Sequence, residues 1–340
     1  MRILIIGGTK FIGPFVVRQL VEQGHEVTIF HRGQTQANLP GAVQYIYGDR
    51  KQLHNFKSQF KNIAPQIVLD MMPYAEQESR AVVQTFKGLA KRVVAISSQD
   101  VYRAYERARR TNPGSLDPLP LTETSPLREK LYPYRDQAES PDDWIYHYEK
   151  ILVERVYMSE PELLGTVLRL PLVYGPGDYQ HRLFPYLKRM DDGRAFILLE
   201  EGQAKWRWPR GYVENVAAAI VLAITSQRAT NQIYNVGEEE SFTEAEWVEH
   251  INRAAKWNGK IVTVKREQLP KHLIIDLDWN QHLVVDTSRI RQELGYQEPI
   301  GFEEAIARSV EWERKNPPAP IDPKQFDYHA EDAALLRLHN

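Results

Sequence analysis

The chain has 340 residues, a net charge of −2 and no cysteine. That length supports a large core and one or two domains. The missing cysteines exclude disulfides, thiol nucleophiles and cysteine-bound metals, nothing else has metal-site spacing, and the near-neutral charge gives no sign of a general polyanion partner. The N-terminal apolar run is too short for a signal peptide and ends in glycines. The longest apolar stretch, residues 216–224, falls far short of a membrane span. A soluble, cytoplasmic protein without a membrane partner is the expectation.

Residues 3–6 (Ile-Leu-Ile-Ile) are an unbroken aliphatic run, the pattern of a strand buried on both faces in a parallel sheet. Gly7, Gly8 and Gly13 follow, and apolar residues at helical spacing begin at once with Phe11, Ile12, Phe15, Val16 and Leu20. Pro14 falls in the first helical turn, where no N–H partner is lost. Strand, glycine turn and helix together place a helix N-terminus where a pyrophosphate can bind. An ordinary strand-to-helix turn can look the same, but a second strand at residues 26–30, after a helix stop at Gly24, completes a βαβ unit of about 30 residues.

The phrase Gly7-Gly8-Thr9-Lys10-Phe11-Ile12-Gly13 resembles the cofactor turn of the extended short-chain dehydrogenases/reductases, the NAD(P)-dependent epimerases and dehydratases. It departs at Lys10, where that family has its middle glycine; a Cβ there crowds a pyrophosphate, while an ammonium can pair with one. The resemblance implies that all seven residues contact the cofactor. At the end of the second strand, where an NAD site has an acid for the ribose hydroxyl, stand His31 and Arg32, which suit the 2′-phosphate of NADP; the alternative is that Arg32 is solvated surface. NADP is therefore favoured over NAD.

A third strand at 43–47 leads into Asp49 and Arg50, and Asp49 matches the family's adenine-binding acid. A fourth, at 66–69, leads into Asp70-Met71-Met72-Pro73, where relatives have small residues beneath the cofactor, so Met72 joins the expected contacts. A helix is expected at 76–90 and a fifth strand at 92–96. Strands alternating with helices predict an α/β, Rossmann-like doubly wound parallel sheet.

The fifth strand runs into Ser98-Gln99-Asp100-Val101-Tyr102. This is similar to the family segment that carries the catalytic hydroxyl four residues before a tyrosine, which makes Ser98 the match. Sugar dehydratases of the family place Asp-Glu next; Gln99 cannot be a general acid, which argues against dehydration, and Gln99 and Asp100 are left as candidate substrate contacts. Residues 103–143 read as an irregular insertion, with arginines at 103, 107, 109 and 110 that meet either solvent, an anionic substrate or RNA.

Asp142 and Asp143 are candidate caps for a helix starting near Trp144. On such a helix Tyr146 and Lys150 share one face. About one Tyr-x3-Lys pair is expected by chance among 17 tyrosines in 340 residues, so the weight comes from chain order: glycine turn, Ser98 at a strand end, then Tyr146 and Lys150. The resemblance implies a Ser98–Tyr146–Lys150 catalytic triad, in which the lysine cation lowers the phenol pKa and holds the nicotinamide ribose. Tyr148, with Leu152 four residues on, reads as core.

A sixth strand at 165–170 leads to Leu172, a further cofactor contact by resemblance. Relatives acting on nucleotide sugars often have Asn there, so a UDP-sugar substrate is in doubt. Residues 205–210 are basic and aromatic, and Arg207 lies nearest to the family's diphosphate-binding arginine. Residues 213–224 read as a helix with Asn215 where the family has Asp, and 233–237 as a strand returning to the sheet. The expected organisation is a cofactor domain at 1–177, to which 211–237 returns, a smaller C-terminal α/β substrate lobe at 178–316, and an arm at 317–340.

The reading is thus an epimerase- or reductase-like enzyme acting on a hydroxyl of a sugar or sugar-like small molecule, nucleotide sugars included, compatible with a homodimer. The alternative is a binding protein with little redox turnover, since the glycine phrase and Gly48-Asp49-Arg50-Lys51 also resemble the stem-loop RNA-binding branch of the superfamily. Ser98, Tyr146 and Lys150 together favour the enzyme, and the absence of a basic excess makes RNA the less favoured partner.

Overall fold

The computed structural model describes residues 1–338. In chain order the strands are β1 (Arg2–Ile6), β2 (Glu26–His31), β3 (Gln44–Tyr47), β4 (Ile67–Asp70), β5 (Arg92–Ser98), β6 (Leu164–Leu170), β7 (Leu172–Tyr174), β8 (Phe196–Glu200), β9 (Arg210–Tyr212), β10 (Gln232–Asn235) and β11 (Lys260–Val264). The helices are α1 (Ile12–Glu22), α2 (Lys57–Ile63), α3 (Glu76–Phe86), α4 (Arg103–Ala108), α5 (Lys150–Met158), α6 (Phe184–Asp191), α7 (Glu201–Lys205), α8 (Val213–Thr225), α9 (Glu244–Ala255), α10 (Ser288–Leu294), α11 (Phe302–Lys315) and α12 (Tyr328–Leu338).

Seven strands make one parallel sheet in the order β10-β6-β5-β4-β1-β2-β3. The strand period of two sorts β1 between two cores. Ile3 and Ile5 pack with Val16 and Leu20 of α1 and Ile220 of α8, whereas Leu4 and Ile6 pack with Val82 and Phe86 of α3 and Val153 of α5. All four β1 side chains are at most 2% exposed, and burying each is worth about 1.5–3 kcal/mol. The sheet is therefore doubly wound, as the aliphatic run predicts. Sheet growth reverses direction between β1 and β4, which opens a crevice outside their C-terminal ends.

Two smaller parallel pairs, β8 with β11 and β7 with β9, lie outside the main sheet. Asn215 explains its own departure from the family pattern. Its amide donates to the Ile300 carbonyl at 2.9 Å and accepts from the Ile300 N–H at 3.0 Å, which ties α8 to the entry of α11; an aspartate could not do both. The C-terminal segment is no free arm. Glu331 of α12 is fully buried and pairs with Arg189 of α6 at 2.6 Å and with His272 at 3.1 Å.

Candidate active site

The glycine turn lies at the mouth of the crevice. Gly7 and Gly8 have φ of +89° and +82°, and a Cβ on Gly13 would stand 2.3 Å from the Gly8 carbonyl, so only glycine lets α1 close onto the turn. No side chain caps α1; within its first turn the Gly13 N–H donates to the Lys10 carbonyl at 3.0 Å and Pro14 has none, so an anion would meet the remaining N–H groups of the turn. Thr9 bonds Thr35 at 2.6 Å, Lys10 is exposed, and Ile12 and Phe11 pack partly into the core. Met72 walls the turn: its Sδ is 3.6 Å from where a Gly7 Cβ would be.

At the end of β2 the His31 ring lies against Tyr45 and Tyr47, with centroids 5.7 and 5.1 Å away. Nδ1 accepts from the Gly33 N–H at 3.3 Å, Nε2 is buried without a partner, and burial lowers the pKa, which favours a neutral ring. Arg32 is exposed. Asp49 caps the following turn by accepting from the Lys51 N–H at 2.9 Å. The Arg50 guanidinium is committed elsewhere than to a cofactor: it grips Asp70 at 3.0 and 3.2 Å, lies 3.5 Å from Glu78 and donates to the Met72 carbonyl. Asp70 also accepts from Tyr157 Oη at 2.6 Å. Arg50 therefore shapes the Met71–Met72 turn from behind. Leu172 sits half-buried on β7 against the core, opposite Arg210 of β9.

Ser98 ends β5, next to β4 in the sheet. Its Oγ accepts from the Asp100 N–H at 3.2 Å, which leaves its own O–H to donate outward. Gln99 points into the framework: Nε2 donates to the carbonyls of Arg169 and Val236 at 3.3 and 2.8 Å, which joins β5, β6 and the end of β10. Asp100 is the polar centre of this corner. Its Oδ2 accepts from Tyr134 at 2.8 Å and from Tyr148 at 2.9 Å, while Oδ1 is buried and unpartnered.

The expected helix from Trp144 is replaced by a single 3-10 turn over Trp144–His147, capped by Asp143, and α5 begins only at Lys150. The reason is Glu149. Its N–H donates to the Tyr74 carbonyl at 2.8 Å, which leaves no helical bond to make, and its carboxylate caps Ile151 N at 2.8 Å. Tyr146 and Lys150 thus do not share a helix face. The Tyr146 ring lies 4.7 Å from the Arg135 guanidinium, and its carbonyl accepts from Arg135 Nε at 3.2 Å. Of Tyr146 and Tyr148, it is the phenol of Tyr148, which the sequence placed in the core, that reaches the Ser98–Asp100 corner. Tyr148 is buried, and burial and then Asp100 push its pKa well up, with the Ser98 hydroxyl pulling the other way.

Lys150 is buried at the head of α5. Its Nζ donates to the carbonyls of Pro73 and Ile96, both at 2.9 Å, and lies 5.0 and 5.7 Å from the ring centroids of Tyr74 and Tyr148. Burial lowers its pKa to about 8, against the pull of Asp100 and Asp70.

The insertion forms the outer wall of this corner. Arg128 is buried against Glu149 at 3.0 Å, and the Tyr132 N–H donates to the same carboxylate at 2.6 Å. The arginines of 103–110 do not form a basic face. Arg103 pairs with Asp117 at 2.6 Å, Arg107 donates to the Asn112 carbonyl, Arg110 pairs with Asp276 at 3.1 Å, and Arg109 turns inward over Tyr134. Arg207 is likewise engaged, donating to the Ser241 carbonyl at 2.5 Å with Glu246 3.7 Å away. No group of metal-ligating side chains stands among the described residues, and none of their helices is long and apolar enough to cross a membrane.

The model of the NAD dependent epimerase/dehydratase family matches residues 3–237. The chain belongs to this family. Among curated members and relatives it is 25% identical to the chloroplast stem-loop binding protein of 41 kDa b of Arabidopsis thaliana, over 71% of this chain and 60% of that protein. It is 22% identical to a UDP-N-acetyl-alpha-D-glucosaminuronate decarboxylase of Bacillus cytotoxicus, over 92% of this chain and 98% of that protein. Among solved structures, the epimerase Mth375 of Methanothermobacter thermautotrophicus superposes with a TM-score of 0.68 at 18% identity, covering 93% of this chain and 92% of that one. WbmG of Bordetella bronchiseptica, solved with NAD, gives 0.67 at 19% identity, covering 93% and 94%. These likenesses establish the shared epimerase/dehydratase fold. The glycine turn of this family member fits a dinucleotide on its own geometry, through its two left-handed glycines and the uncapped start of α1.

Sequence reasoning missed two features of the site. The Tyr134–Asp100–Tyr148 bridge has no spacing signature, because its parts come from three separate loops. The displacement of the helix start did leave a trace: Glu149 immediately before Lys150 is a capping side chain.

Proposed function

We propose that this chain is an NAD(P)-dependent oxidoreductase of the epimerase or reductase kind, acting on a hydroxyl of a sugar or nucleotide sugar. The observation that carries the reading is the Tyr148 phenol on Asp100, with Ser98 alongside and Lys150 beneath, at the crevice beside the glycine turn. Relatives named for nucleotide-sugar activities, such as a UDP-glucose 4-epimerase of Lactobacillus helveticus at 22% identity over 93% of this chain, support the substrate class. Gln99, turned into the framework, supplies no acid for dehydration.

Gly7, Gly8, Thr9, Lys10 and the first turn of α1 to Gly13 would hold the pyrophosphate, and His31, Arg32 and Asp49 the adenosine end, with Met72 and Leu172 bordering the cleft. Since burial disfavours a charge on His31, a preference for NADP falls to Arg32 and Lys10. A nicotinamide held there would supply the hydride acceptor for the carbinol carbon. The protein moves the proton: the substrate hydroxyl donates to Tyr148 Oη while the phenol passes its own proton to Asp100 Oδ2, and Ser98 Oγ donates to the substrate oxygen. The Lys150 cation near the ring reduces the cost of negative charge on the phenol. In this reading Tyr148 takes the part expected of Tyr146.

The test is to incubate the protein with NAD⁺ or NADP⁺ and a panel of sugars and nucleotide sugars, following cofactor reduction and product sugars by mass spectrometry. Turnover of any panel member that Tyr148→Phe abolishes supports the reading; a panel wholly unchanged sinks it. A second reading, stem-loop RNA binding, rests on the name of the chloroplast relative. Against it stand the internal partners of the arginine cluster; tight RNA binding at physiological salt would favour it.

A further inference from the structure

Around the catalytic corner nearly every cation already has a partner. Arg50 holds Asp70, Arg103 holds Asp117, Arg128 holds Glu149, Arg169 holds Glu154, and Lys150 holds two carbonyls. Arg109 differs. Among the described residues no carboxylate lies within ion-pair distance of it, although its side chain is half-buried. It follows the last turn of α4, its N–H donating to the Tyr105 carbonyl at 3.0 Å. Its guanidinium lies 4.9 Å from the Tyr134 ring centroid and 5.7 Å from that of Tyr105. The Tyr134 hydroxyl in turn reaches Asp100 Oδ2, the atom that holds Tyr148. One aromatic side chain therefore separates this cation from the reacting groups.

A guanidinium carries five donors in a fixed fork that matches two oxygens of a carboxylate or phosphate. Its position over two rings restrains that fork before any ligand arrives, so less side-chain entropy is lost on binding. Such a group, half removed from water and with its nearest carboxylate, Asp100, reached only through Tyr134, has donors to offer an incoming anion. We infer that Arg109 is the anion-recognition residue of the active site, and that the substrate carries an oxyanion, carboxylate or phosphate, beside the hydroxyl that reacts at Tyr148. The inference rests on the proposed function for the location of that hydroxyl. The competing account makes Arg109 only a counter-charge for Asp100, relayed through Tyr134.

Equilibrium binding separates the two without requiring turnover. Glucuronate, glucose 1-phosphate and glucose are titrated calorimetrically into wild type, Arg109→Met and Arg109→Lys, with NAD(H) affinity and circular dichroism as controls of the cleft and the fold. Wild type should bind at least one of the two anions about ten-fold more tightly than glucose, the worth of a charge-assisted hydrogen bond. Arg109→Met should lose that margin with glucose and NAD(H) binding unchanged, and Arg109→Lys should keep part of it. Preference for glucuronate assigns a carboxylate; preference for glucose 1-phosphate assigns a phosphate. Anion binding that persists in Arg109→Met, or wild type that binds all three sugars alike, overturns the proposal. If Arg109→Met loses the anion while Tyr148→Phe stays fully active, the anion site stands and the placement of the chemistry falls.

Discussion

The Tyr148 hydroxyl donates to Asp100 Oδ2 at 2.9 Å, whereas Tyr146, two residues earlier, lies against Arg135. Replacing Tyr148 by phenylalanine keeps the ring and its packing and removes only the hydroxyl. Turnover should fall by about 10²–10⁴-fold, the contribution of a positioned acid–base group, with cofactor affinity nearly intact. Tyr146→Phe should remain close to wild type. Steady-state kinetics on any turned-over sugar decide this; the reverse pattern would return the role to Tyr146.

Lys150 provides a pH test. Burial brings its pKa to about 8, so its cation, which supports the phenol, is lost as pH rises through that value. Turnover should therefore decline with an apparent pKa near 8. Stability runs the other way. Between about 8 and the ordinary lysine value of 10.5 the unfolded chain holds the proton and the native one does not, so stability rises with pH across this window and is lower below it. Lys150→Met removes the charge; its stability measured against wild type in urea should gain on the acid side of pH 8, by an amount on the order of 3 kcal/mol. A wild type whose stability falls steadily from pH 8 to 10 would contradict the burial argument.

The cofactor end makes a simpler prediction. With Lys10 and Arg32 exposed at the mouth and no acid at the end of β2, NADP(H) should bind at least as tightly as NAD(H). Arg32→Glu should weaken NADP(H) and spare or improve NAD(H). Fluorescence titration of both cofactors checks it, and a strong NAD preference unaffected by the substitution would refute it.

Arg128 and Glu149 form a pair with side chains only 1% and 0% exposed. Arg128→Met strands a buried carboxylate and should cost about 3–5 kcal/mol. Because that carboxylate also caps the helix of Lys150, cofactor reduction should suffer as well. Arg128→Met with Glu149→Gln should recover part of the stability, since no lone charge remains. Chemical denaturation of the three proteins measures this, and a single mutant as stable as wild type would show that the pair does not hold the insertion.

The sheet was legible because it obeys short-range rules. Runs such as Ile3–Ile6 are aliphatic at every position, since both faces are covered, and the glycine turn needs residues that no other type can replace. The corner proposed to be catalytic was half legible. Ser98 and Lys150 follow from chain order, but the phenol does not, because a tertiary bond from Glu149 N–H to the Tyr74 carbonyl outweighs the local helix signal at Asp143. The inward turn of Arg109 was hidden for a similar reason: it depends on Tyr134, 25 residues away by number, on a segment with no periodicity. The small β8–β11 pair joins residues too distant for any local pattern to announce.

The Arg189–Glu331 contact has a bearing on the order in which the molecule is made. Arg189 leaves the ribosome well before its partner, which follows 142 residues later. Until α12 arrives, α6 carries a cation with no counter-ion on a surface that is buried in the finished protein. The nascent C-terminal lobe therefore has reason to stay loose during synthesis, while β1 to β5, whose pairings with one another need no residue beyond Ser98, can already pair. The β1–β5 part of the sheet would form first, and the C-terminal lobe would set only when α12 closes over it.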